Sequence, residues 1–69
     1  MEELTDKQKE MIDFIKKYIN NYGYSPTIRE LAYVLGKSVG SVHPMLKKLK
    51  AKGVITYNEK MSRTIKVLI

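Results

Sequence analysis

Ser38, Gly40, Ser41, His43, Lys47 and Lys48 fall in one short stretch that combines hydroxyl and imidazole donors with adjacent ammonium groups. Hydroxyls donate to or accept from several base edges, an imidazole can donate to guanine or to a phosphate, and glycine permits close backbone approach. The chemistry implied is recognition rather than bond-making. No Ser, His and Asp stand at triad spacing, no glycine-rich phosphate loop occurs, and no carboxylate pair sits in an apolar setting. His43 has no orienting partner in sight. With no cysteine and a single histidine, the chain has neither a disulfide framework nor the ligands of a zinc centre. A binding module is expected, not an enzyme, with no cofactor and no metal.

Charge narrows the class of partner. Residues 28–69 hold nine Lys or Arg against two Glu, whereas residues 1–27 hold four Lys against five acids. The positive excess therefore lies on the second part of the chain, where it can face phosphates. A net charge of +6 attracts polyanions in general, so nucleic acid, an anionic membrane surface and an acidic protein are separated only by where the cations are placed. The longest apolar stretches fall far short of the roughly 18 residues of a membrane span. The acidic start Met1-Glu2-Glu3 is unlike a signal peptide. A cytoplasmic protein with no membrane partner is the expectation.

The elements that would position these residues can be read from caps and periodicity. Sixty-nine residues make one domain, because a chain this short buries only about 60% of its unfolded surface and cannot divide it into two cores. Thr5 and Gln8 have capping-box spacing, so a first helix starts at Asp6. Met11, Ile15, Tyr18 and Tyr22, widened by Ile12, Phe14 and Ile19, form its buried stripe, and Gly23 stops it. Thr27 and Glu30 repeat the spacing and open a two-turn helix with Ile28, Leu31, Ala32 and Leu35 on one face, ended by Gly36. Val42, Met45, Leu46 and Leu49 define a third helix over 39–52, capped by Ser38 and closed by Gly53. Pro44 is out of place inside it, since an interior proline costs about 3 kcal/mol. The favoured reading is that Pro44 marks the helix start, the alternative a kink. Residues 54–57 and 64–69 then read as two strands joined by a loop over 58–63. The fold class expected is mainly α with a small β-hairpin, a three-helix bundle plus a two-stranded wing: a winged helix-turn-helix spanning 1–69.

Three strings follow one another in this order: Leu4-Thr5-Asp6-Lys7-Gln8, Gly23-Tyr24-Ser25-Pro26-Thr27-Ile28-Arg29-Glu30-Leu31 and Leu49-Lys50-Ala51-Lys52-Gly53-Val54-Ile55. Together they resemble the N-terminal DNA-binding domain of the LexA family of repressors, without the family's self-cleaving protease half. The resemblance implies that the third helix reads the major groove of a palindromic operator, with base contacts from Gly40, Ser41, His43 and Pro44. It implies that Thr27 and Arg29, at the start of the second helix, clamp the DNA backbone. One departure bears on register: the turn Gly36-Lys37-Ser38-Val39 is one residue shorter than the family's usual spacing before Val42-His43.

The DNA-binding residues expected are thus Thr27, Arg29, Lys37, Ser38, Gly40, Ser41, His43, Pro44, Lys47 and Lys48, with Lys60 and Arg63 from the wing loop. Each has a plainer alternative. Ser38 and Gly40 would serve any turn, His43 could be a solvated side chain, Arg29 could pair with Glu30, and a lysine run is often only a solvated helix face. Tyr18 and Tyr22 are assigned to the core rather than to base stacking. The partners expected are double-stranded DNA and a second copy of the chain on a palindromic operator, the function that of a transcriptional repressor acting by operator occlusion. The competing reading is a protein-interaction winged helix, an anti-repressor or corepressor that holds another regulatory protein.

Overall fold

A computed structural model describes residues 4–69 of the chain; the acidic start Met1-Glu2-Glu3 lies outside the described residues. Three helices, α1 (Asp6–Tyr22), α2 (Ile28–Leu35) and α3 (Val39–Ala51), lead into an antiparallel hairpin of β1 (Ile55–Thr56) and β2 (Lys66–Val67). This is the three-helix bundle with a two-stranded wing that the pattern of caps and apolar residues predicts.

Side chains written into the sequence start each helix. Thr5 Oγ1 accepts from Gln8 N at 3.1 Å while Gln8 Oε1 accepts from Thr5 N at 3.0 Å. Thr27 and Glu30 repeat the exchange at 3.0 and 2.9 Å. Ser38 Oγ accepts from Ser41 N at 3.2 Å at the head of α3. Each cap satisfies a backbone donor that has no partner inside the helix. Gly36, at φ 67°, ends α2 in the left-handed region that a side chain would strain. Only Lys37 and Ser38 then separate this glycine from α3.

The core collects Met11, Ile12 and Ile15 from α1, Leu31 and Ala32 from α2, Val42, Leu46 and Leu49 from α3, and Ile55, Tyr57 and Ile65 from the hairpin. The α1 stripe does not stay buried along its whole length. Tyr22 is 58% exposed and Tyr18 only half-buried, which corrects their assignment to the core. Their rings pack on each other, with centroids 4.6 Å apart, and on Tyr24 at 6.0 and 6.1 Å. A tyrosine cluster tolerates the surface because each ring carries a polar tip that can meet water or a polar side chain.

Two further expectations change. Pro44 does not start α3; it is the sixth residue of a helix that begins at Val39. Having no N–H, it cannot donate to the carbonyl of Gly40, so one rung of the helix is missing in its second turn. The strands are also shorter than 54–57 and 64–69, because backbone donors that would extend the ladder are taken elsewhere. Asn58 N donates to Thr64 Oγ1 at 2.8 Å, and Val54 N to the Leu49 carbonyl at 3.3 Å; on the side of β2 away from β1, Ile65 N donates to the buried Ser25 Oγ at 3.1 Å. Ile55 pairs with Val67 and Thr56 with Lys66, and Leu68 N donates to Val54 O at 2.8 Å beyond them.

Candidate nucleic-acid interface

α2 packs on α3 across the Gly36-Lys37-Ser38 link, a three-residue turn that contains a glycine, as helix-turn-helix connections often do. Val42, Leu46 and Leu49 turn one side of α3 fully into the core. At 3.6 residues per turn the opposite side carries Gly40, Pro44, Lys47 and Ala51, with Ser41 and Lys48 on one shoulder and His43 and Lys50 on the other. The outward line is lean near the helix start and cationic further along. Small residues permit close approach where a recognition helix presents its N-terminal turn to base edges.

Of the expected contacts, Lys37, Ser38, Gly40, Ser41, Pro44, Lys47 and Lys48 are exposed and His43 is half-buried. Ser38 Oγ donates to Ser41 Oγ at 3.2 Å, so the two hydroxyls form a local pair at the helix head. The lysine run divides by geometry. Lys50 Nζ donates to the Tyr57 carbonyl at 2.9 Å and lies 4.6 Å from the centroid of that ring. Lys52 Nζ donates to Gln8 Oε1 at 3.0 Å, tying the end of α3 to the start of α1. Lys47 and Lys48 remain exposed.

At the head of α2, Arg29 is exposed and Thr27 half-buried. Thr27 Oγ1 is occupied as an acceptor by its own helix, which leaves the hydroxyl proton for a further partner. The wing loop is a small ordered turn. Asn58 Oδ1 accepts from Lys60 N at 2.9 Å, Met61 N donates to Asn58 O at 3.2 Å, and Thr64 Oγ1 closes the loop by donating to Met61 O at 3.1 Å. Lys60 is exposed within it.

Arg63 is placed differently from the other expected contacts. Its guanidinium turns to the body, with Nη1 3.0 Å from Glu30 Oε1 and Nη2 donating to Glu30 Oε2 at 3.1 Å. Nη1 also donates to the Ser25 carbonyl at 3.2 Å and to the Tyr18 hydroxyl at 3.3 Å, and the group lies 4.6 Å from the Tyr24 ring centroid. The hydrogen bond from Thr27 N, with help from Arg63 against partial desolvation, holds the Glu30 carboxyl below its ordinary range. Reciprocally, Tyr18 and Glu30 hold the Arg63 guanidinium more firmly protonated. Glu30, Tyr18, Ser25 and Tyr24 were not singled out as functional from sequence. Arg63 meets Glu30 across 33 positions, and no local pattern announces such a contact.

Among the described residues no helix is long and apolar enough to cross a membrane, and no group of acidic, histidine or cysteine side chains is placed to hold a metal ion. The family model described as LexA DNA binding domain matches residues 1–64. Relatives include the LexA repressor of Thermosipho melanesiensis, 43% identical over 68 residues and covering 99% of this chain. The LexA repressor of Pelotomaculum thermopropionicum is 46% identical over 68 residues and covers 97%. That of Bacillus mycoides is 38% identical over 69 residues and covers 99%. The chain spans about a third of the length of these repressors, 34% in each case.

Proposed function

The chain belongs to the LexA DNA-binding domain family, and from that premise we propose that it binds double-stranded DNA sequence-specifically and serves as the DNA-reading part of a bacterial transcriptional repressor. The observation that carries this reading is α3 itself, packed on α2 through a glycine turn, with a lean, hydrophilic head and exposed lysines on the side away from the core. Gly40, Ser41, His43 and Pro44 approach base edges in the major groove, with Ser38 at the head of the helix. Thr27 and Arg29 take the phosphate backbone, where the positive end of α2 adds to their donors. Lys37, Lys47 and Lys48 neutralise flanking phosphates, and Lys60 carries the wing to the adjoining backbone.

Repression follows from occupancy: a protein seated on an operator beside a promoter excludes RNA polymerase. One copy of α3 reads one half-site, so two copies on a palindromic operator supply the specific affinity, typically about 10⁻⁸ to 10⁻¹¹ M. The protein works in the cytoplasm, where its operator is. Selection of duplexes from a random pool, followed by footprinting, tests the reading. Enrichment of a short motif with hyperbolic binding at moderate salt is expected; a pool that stays random at moderate salt refutes it. Lys47→Ala and Lys48→Ala should each lower the slope of log K against log salt by about 0.9, the contribution of one phosphate contact. Lys66→Ala, on β2, should leave it unchanged.

A further inference from the structure

We propose that Glu30 and Arg63 are a positioning pair that sets the wing loop against the head of α2, so that Lys60 meets the same duplex as Thr27 and Arg29. The inference rests on the DNA-binding reading and gives Arg63 an indirect role in it.

Packing does little to hold the loop. Residues 58–65 arch over Pro26 and Ile28 around a hollow, and Met61, the apolar side chain nearest the tip, is 62% exposed. What fastens the loop is polar and concentrated at its end. Arg63 stands at φ 58°, in the left-handed region that a non-glycine residue adopts only when its surroundings require it. From there Nη2 donates to Glu30 Oε2, while Nη1, 3.0 Å from Glu30 Oε1, donates to the Ser25 carbonyl and the Tyr18 hydroxyl. Such two-point recognition fixes direction as well as distance, which an ammonium group cannot do. The same Glu30 carboxylate accepts from Thr27 N to start α2. One side chain therefore joins the backbone of the α2 head to the orientation of the wing. An Arg63 held in this way has its charge neutralised locally and its donors directed inward, so it does not contact phosphate while the pair is intact.

Glu30→Gln gives a test whose sign separates the alternatives. Glutamine at this capping-box position still accepts from Thr27 N, so α2 keeps its start. The substitution also removes a negative charge beside the proposed DNA surface, and Coulomb attraction alone would then tighten binding. The positioning pair predicts the reverse: affinity for a selected duplex falls several-fold, and the salt slope drops by about 0.9 as Lys60 loses its phosphate. Lys60→Ala should lower the slope by the same amount in the parent chain and have no further effect in Glu30→Gln. Arg63→Lys, which keeps the charge and loses the fork, should behave like Glu30→Gln. In the absence of DNA, backbone 15N relaxation should show residues 58–64 becoming more mobile while α1 to α3 keep the order of the parent. Tighter binding, an unchanged slope, or unchanged order in residues 58–64 overturns the proposal. A parent chain that binds no duplex overturns the DNA reading instead, and the relaxation comparison then decides by itself whether the pair holds the loop.

Discussion

Glu30 is a single carboxylate that accepts from Thr27 N at the head of α2, accepts from the Tyr18 hydroxyl and pairs with Arg63, and its titration makes these contacts measurable. Its folded pKa is lowered, first by the Thr27 backbone hydrogen bond, from an ordinary value of 4.5. A lowered carboxyl contributes stability that is fully present above the ordinary value and is lost as pH falls through the folded one. Urea midpoints measured from about pH 6 down to about pH 3 should therefore fall less steeply in Glu30→Gln than in the parent. Tyr57 presents the opposite case. Its ring is buried and supports Lys50, yet its hydroxyl meets no partner among the described residues. Burial, with a smaller push from the Glu59 charge, raises its pKa. A buried hydroxyl without a partner costs about 1–3 kcal/mol, so Tyr57→Phe should leave the melting temperature unchanged or raise it. A clear loss of stability would show that the hydroxyl is satisfied in solution. Legibility at this scale follows sequence distance. Thr27 and Ser38 could be read because their partners lie three residues away. Arg63 could be read only as a cation in a loop, because its partners come from α1, α2 and the segment between them.

Local rules served the helices well and the hairpin less well. Caps and stops placed α1 and α2 as observed, because both depend on groups within one turn of the chain. Pro44 misled because the rule against interior proline weighs only the lost hydrogen bond and the ring clash, both at the Gly40 carbonyl, and not the burial of Val42, Leu46 and Leu49 that holds α3 together on either side of it. Pro44→Ala restores the missing rung at an exposed position. It should stabilise the domain by about 1–3 kcal/mol, which in a protein of this size is a rise of at least about 4 °C in Tm. No change in a thermal melt would mean that the helix already relaxes the strain around Gly40. The strands came out short because the Thr64 hydroxyl takes the donor of residue 58 and the Leu49 carbonyl, at the end of α3, takes that of residue 54, and such competing acceptors leave no periodic mark.

For the whole molecule, a count of lysines overstates the charge that a duplex would meet. Lys50 and Lys52 both donate to groups of the protein itself, and Arg63 is paired, so the salt dependence of binding should be shallower than the net charge of +6 suggests. A single copy also offers one reading helix. Joining two copies by a flexible linker long enough to span two half-sites should tighten binding about 10²-fold or more on a palindromic duplex and leave binding to an isolated half-site unchanged. Equal gains on both duplexes would remove the case for two-site reading.

The self-contained caps have a kinetic corollary. Because each helix is opened by a partner three positions along its own chain, much of the native hydrogen bonding can form before distant segments meet. Domains dominated by such nearby contacts refold in roughly microseconds to milliseconds. The last event in that sequence should be closure of the wing, whose Arg63 must find Glu30 across 33 positions of the chain. In a temperature-jump experiment, a probe on the loop should therefore lag behind one on α1.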